Sequence, residues 1–116
     1  MDSILDEKSF RLESVRALNK QVVHLVFKDG KEFDLDLSPD LNSFQGPFVE
    51  PLKDQSVFSR VRVDYGSLVF PTGLDYGGDV LRLWCEHGGV ADPEKTDELA
   101  KKYRSQSFLL TATAGN

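Results

Sequence analysis

Cysteine is nearly absent from this chain. Cys85 is its single thiol, which rules out an internal disulfide and makes a reduced, cytoplasmic setting the expectation. Long apolar runs are missing too. No segment approaches the roughly 18–20 apolar residues that cross a bilayer. The start, MDSILDEKSF, lacks the basic region and apolar core of a secretory signal, so no membrane association is expected. Positive charge is short, with 14 Lys and Arg against 19 Asp and Glu and a formal net charge of -5. Overall, that is a poor match to a nucleic-acid backbone and leaves only a local basic patch for such a role. A phosphate-cradling loop is also lacking. Gly73, Gly77 and Gly78 have neither the ordered spacing nor the lysine–hydroxyl element that such a loop requires.

What remains is the make-up of one folded domain with a modest core: 116 residues, 40% hydrophobic and 28% charged. Its most informative stretch is residues 22–37, VVHLVFKDGKEFDLDL, two alternating runs joined by Lys28, Asp29 and Gly30. A two-residue turn would set Leu25 against Asp34 and mix carboxylates into the apolar face. A three-residue loop with Gly30 as a left-handed bulge sets Leu25 opposite Phe33 and Val23 opposite Leu35. That register collects Val23, Leu25, Phe27, Phe33, Leu35 and Leu37 on one face, with Val22, His24, Val26, Glu32, Asp34 and Asp36 on the other. Burying one large apolar side chain contributes roughly 1.5–3 kcal/mol, enough to outweigh a preference for the shorter turn.

Around this hairpin, residues 11–18 (RLESVRAL) supply an earlier strand, and Ser38-Pro39 opens a short helical turn. Residues 42–54, with Gly46, Pro47 and Pro51, form an irregular crossover anchored by Phe44, Phe48 and Leu52; residues 55–59 add one helical turn burying Val57 or Phe58. Val61, Val63 and Tyr65 alternate against Arg60, Arg62 and Asp64, and a reversal near Gly66 leads into Leu68, Val69 and Phe70. The main helix begins near Gly78 or Asp79, capped by Asp79, and stops at Gly88-Gly89. Asp92-Pro93 starts a second helix with a thin apolar stripe, Leu99 and Tyr103, while residues 107–113 read as a strand or an ordered tail. The expected fold is α+β: a small antiparallel sheet of about five strands, one main helix on a face, and a second helix near the C-terminus. By segment, the expectation is a flexible leader at 1–10, a compact domain at 11–88 and a helical or extended appendage at 89–116.

The motifs HLVFKDGKEFDLDL and FQGPFVEPLKDQSVFSRVRVDYGSLVFPTGLDYGGDVL, in that order after an early strand, resemble the small bacterial family called domain of unknown function 2442. The resemblance covers about residues 11–84. Phe58, Val61, Val63 and Asp64 match its strand approach, and Pro71, Gly73 and Asp75 its turn. Phe70 stands where tryptophan is common, and Gly78 where proline is common. The resemblance implies a small partner-binding domain with no established catalytic mechanism. Some members lie beside toxin-like proteins, and others continue into a helix-turn-helix region; after Gly88 this chain is too short for a complete version.

Each candidate site competes with an ordinary structural role. His24 opposite Asp34 could be a pH-sensitive contact, or simply a strand pair. Cys85 and His87, two apart on a helix, point in different directions and do not form a ligand pair. Asp64, Asp75 and Asp79 belong to no recognised cation loop, and Glu32, Asp34, Asp36 and Asp40 read as a solvated acidic face. Arg60, Arg62 and Arg82 could form a positive surface; Lys101, Lys102 and Arg104 concentrate charge near the end and are the candidate nucleic-acid contacts. Phe44, Phe48, Trp84 and Tyr103 are the candidate protein-binding anchors, with core filling as their alternative. The residues thus point to a noncatalytic protein-binding or regulatory adaptor without a cofactor or metal, engaging a protein partner, in view of the resemblance a toxin-like one, or a second copy of itself. A nucleic-acid-associated regulator is the alternative, and a small hydrolase with a composite site the second.

Overall fold

The structure, a computed structural model, describes residues 7–114, with side chains as far as Tyr103. Strands β1 (Leu12–Ala17), β2 (Val22–Phe27) and β3 (Glu32–Asp36) form one antiparallel sheet in sequence order. Leu25 pairs with Phe33 and Val23 with Leu35, the bulged register. Gly30 sits at φ 92°, its N–H donating to the Phe27 carbonyl, while the Phe27 N–H donates to Lys31. The alternation then sorts the faces. Val23, Leu25, Phe27, Leu35 and Leu37 are buried, whereas Glu32, Asp34 and Asp36 are exposed.

The expectation of one five-stranded sheet is corrected to two sheets of three strands. The second joins β4 (Arg62–Asp64), β5 (Ser67–Val69) and β6 (Asp75–Tyr76). Proline at position 71 ends β5, and Gly73 at φ 101° lets the chain fold back so that Tyr76 pairs with Leu68. Tyr65 does not continue the alternation of Val61 and Val63. It lies in the β4–β5 turn at φ 51° and is 92% exposed. The two sheets meet where the Leu12 N–H donates to the Gly66 carbonyl (2.9 Å), and one core runs through both, including Leu12, Phe58, Leu68, Phe70, Leu81 and Trp84.

Between the sheets lie α1 (Ser38–Leu41), a 3₁₀ turn at Glu50–Lys53 and α2 (Gln55–Phe58). Asp54 caps α2 through the Ser56 N–H, and Phe58 is fully buried. The crossover is anchored by Val49 and Leu52; Phe44 and Phe48, expected to share that role, stay on the surface. Helix α3 (Gly78–His87) is capped by Gly77 rather than Asp79, which lies within the first turn and accepts from the Val80 N–H. Gly88 ends it in the left-handed conformation, with the Gly89 N–H donating to the Trp84 carbonyl. Asp92 caps α4 (Pro93–Ala114) by accepting from the Lys95 N–H. That helix includes residues 107–113, so neither a strand nor a tail forms there. Of the expected leader, residues 1–6 lie outside the described residues, and Glu7–Phe10 form a 3₁₀ turn in which Ser9 is buried.

Candidate functional site

The chemistry-bearing side chains fall into three groups. The first is His24 on the outer face of β2. In an antiparallel pair, residues outside the hydrogen-bonded pairs bring their side chains closest together. The bonded ends of this hairpin, Leu37 to Gln21 and Phe27 to Lys31, place His24 and Asp34 in such a close pair. His24 Nδ1 lies 2.6 Å from Asp34 Oδ1, and Nε2 lies 2.8 Å from Glu32 Oε1. Both nitrogens face carboxylate acceptors, so the arrangement favours the imidazolium, in which both donate. Hydrogen bonds to Asp34 and then Glu32 raise the His24 pKa above its ordinary value. The expected pair with Asp34 is present; Glu32 is a second partner that pairwise register alone did not supply. This is an ion pair on a strand face, with no nucleophile bonded to it.

The second group was not anticipated. Arg82, expected on a positive surface, is instead 2% exposed. Its Nη1 meets Asp29 Oδ2 at 3.0 Å and the Ser9 carbonyl at 3.3 Å, while Nε donates to Glu86 Oε2 at 2.8 Å. The guanidinium carbon stands 5.0 Å from the Phe27 ring centre and 5.3 Å from that of Phe33. Burial pushes the Asp29 carboxyl up, but the Lys31 N–H, the Arg82 charge and bonds from Arg82 and Ser9 outweigh it and leave the pKa lowered. Asp29 is therefore both a hairpin-turn residue and the counter-ion of a buried arginine. The legible signal was Glu86, four residues after Arg82 on the expected helix.

The third group is a surface groove of about 290 Å3 lined by Phe44, Gln45, Phe48, Val49, Gly73, Leu74 and Asp75. Phe44 is 49% exposed and Phe48 57%, unusual for rings of this size in an otherwise well-sorted core. The groove is held by a side chain bonded to backbone. Thr72 Oγ1 donates to the Phe48 carbonyl at 2.7 Å, tying the β5–β6 turn to the crossover. A Cβ at Gly73 would come within 3.3 Å of the Phe48 ring, so the turn and the ring are in close contact. Asp75 is the only charged residue of its lining.

The remaining candidates are scattered. Trp84 is buried and its indole N–H donates to Thr96 Oγ1 at 2.9 Å, joining α3 to α4 as a core residue rather than an exposed anchor. Tyr103 is half-buried near the same junction, and Lys101 and Lys102 are exposed on α4; the Arg104 side chain lies outside the described residues. The Cys85 thiol is pushed up to about 12 by burial, the reverse of what an attacking thiolate needs. His87 is exposed at the end of α3. Asp40, expected on a solvated face, accepts a 2.6 Å hydrogen bond from the Tyr76 hydroxyl. Among the described residues, no group of three or more His, Cys, Asp or Glu is placed to hold a metal ion. No described helix is long and apolar enough to cross a membrane.

Comparison with known proteins adds one finding. No curated protein and no solved structure matches the chain. A family profile described as "Protein of unknown function (DUF2442)" matches residues 12–87, a span from the first residue of β1 to the last of α3. With that match extending over more than half its length, the chain belongs to the DUF2442 family.

Proposed function

We propose that this protein is a noncatalytic binding domain, a regulatory adaptor that captures a protein partner in the Phe44–Phe48 groove. The observation that carries the reading is the exposure of two large rings, 49% and 57%, over a groove whose walls are tied together by the Thr72–Phe48 bond. Aromatic anchors in preorganised pockets dominate binding energy at interfaces, because little side-chain entropy is lost when they engage. An apolar side chain of the partner fills the space among Phe44, Phe48, Val49 and Leu74. A neighbouring lysine or arginine meets Asp75, consistent with the net charge of -5. A toxin-like protein is one partner class that the family setting suggests. Lys101 and Lys102 weigh less for a nucleic-acid reading, since the chain as a whole carries a net charge of -5.

Display selection tests this. A random peptide library is panned on the wild-type protein and counter-selected on a Phe44→Ser, Phe48→Ser double variant. The expected enriched peptides carry an apolar residue beside a lysine or arginine, and they lose binding to the double variant. Enrichment of peptides that bind both proteins equally would overturn the reading.

A further inference from the structure

Among the described residues, strand β3 is an edge of its sheet, and one side of its backbone has no strand beside it. Strand order β1-β2-β3 leaves one flank of β3 without a neighbouring strand. Which groups face that flank follows from the ladder. Leu37 donates to Gln21 and Phe27 donates to Lys31, so the bonded pairs between are Leu35 with Val23 and Phe33 with Leu25. The N–H and C=O groups of Glu32, Asp34 and Asp36 therefore point away from β2. All three residues are exposed, and their amides have no backbone partner among the described residues. Three outward residues in alternation form a template for one further strand.

We infer that this edge receives an extended, basic segment of a partner protein as a fourth strand. The backbone supplies the bonds, and the side chains select the occupant. Glu32, Asp34 and Asp36 project from one face beside the row of outward amides. With Glu32 and Asp34 sharing the one His24 ring, three carboxylates against one imidazolium leave that face net negative. A second copy of β3 in antiparallel pairing centred on Asp34 would set Asp34 against Asp34 and Glu32 against Asp36. Like charges directly opposite one another are destabilising, so self-pairing is disfavoured. A segment with lysine or arginine at every second position places its cations beside the three carboxylates instead. The edge is also preorganised. Asp29, at the tip of the hairpin, is fixed to α3 through Arg82, and Phe33 packs edge-on to Phe27 at 5.9 Å. Docking then orders the incoming segment alone. This surface is separate from the Phe44–Phe48 groove and does not depend on it.

Residue-resolved amide exchange on the full chain, with and without a seven-residue peptide alternating lysine and valine, tests the inference. At saturating peptide, exchange at Glu32, Asp34 and Asp36 is expected to slow by about tenfold or more, while Phe33 and Leu35, already bonded, stay unchanged. A glutamate–valine peptide is expected to give no protection. Asp34→Pro removes an outward N–H without touching the β2–β3 bonds and is expected to abolish the effect. Asp34→Lys, with its backbone intact, is expected to weaken binding of the basic peptide. Phe48→Ser is expected to leave the protection in place. Unchanged exchange at all three amides, or equal protection by both peptides, would overturn it.

Discussion

Arg82 shows how one buried charge can tie local structure to tertiary structure. At 2% exposure its charge is cut off from water, and Asp29, Glu86 and the Ser9 carbonyl each supply an acceptor in its place. Removing one partner of a buried pair costs more than replacing the whole cluster with apolar groups, because the remaining charges are stranded. Arg82→Ala is therefore expected to lower unfolding stability by about 2–3 kcal/mol, below the range for fully buried pairs, because Asp29 and Glu86 keep some contact with solvent. Urea denaturation reads this; a change within about 0.5 kcal/mol, as for surface substitutions, would contradict it. The arginine was hard to place from sequence. Residues 81–84, LRLW, put it in an apolar run, and long charged side chains in such runs commonly reach solvent.

Two titrations of opposite sign also belong to single residues. Asp29 has a lowered pKa in the folded state, so its stabilising contribution is present above the ordinary carboxylate value and is lost as pH falls below it through the lowered folded value. His24 has a raised pKa, so its contribution is complete below the ordinary histidine value, about 6.5, and is lost as pH rises through the folded value. The groups facing His24 are Asp34 and Glu32 from β3 and Arg16, its register partner, from β1. Denaturation across pH 3 to 9 is expected to show Asp29→Asn reducing the acid-side loss and His24→Gln reducing the loss above neutrality. NMR titration of the His24 ring is expected to give a pKa above that of a free histidine; a value below it would refute the double-carboxylate clamp.

At the scale of elements, turns set the geometry. Gly30, with no neighbour near a built Cβ, is required only by its φ of 92°. Gly30→Ala is expected to cost about 1–2 kcal/mol from backbone conformation alone. Gly78 is a different case. A Cβ there would sit 2.0 Å from the Phe10 carbonyl oxygen and 2.8 Å from that of Gly66, so crowding, not φ, selects glycine. Gly78→Ala is expected to displace the 3₁₀ turn at Glu7–Phe10 from α3 and to cost about 1–3 kcal/mol. Thermal unfolding of the two variants checks both, and a Gly78→Ala variant as stable as wild type would contradict the close packing.

These elements also show where sequence reading runs out. The β2–β3 register was legible because period-two alternation and one glycine determine it within sixteen neighbouring residues. The start of α4 was legible from an equally local signal, Asp92 before Pro93. The split into two sheets was not. It depends on a two-residue strand, Asp75–Tyr76, and on Leu12 bonding to Gly66, far along the chain beyond β2, β3 and β4, neither of which leaves a periodic trace. Exposure of Phe44 and Phe48 was equally hidden, since a phenylalanine in a proline-rich crossover reads the same whether it points inward or outward.

For the whole molecule, the α+β arrangement buries one core and leaves two distinct features on its surface, the Phe44–Phe48 groove and the free edge of β3. The groove is the better basis for function, because burying an aromatic anchor supplies affinity that an exposed salt bridge does not. Its walls come from parts of the chain far apart in sequence, the crossover at residues 44–49 and the turn at residues 73–75. A domain that binds by such a groove should tolerate loss of both rings without unfolding, since both are already half in solvent. The Phe44→Ser, Phe48→Ser protein is thus expected to unfold within about 1 kcal/mol of wild type.

The most direct measurement is calorimetric titration of a display-selected peptide into the wild-type protein and into that folded double variant. Loss of a two-ring anchor is expected to weaken binding by about thirtyfold or more, with a negative heat-capacity change for the wild-type complex. Equal affinity for the two proteins would contradict the account.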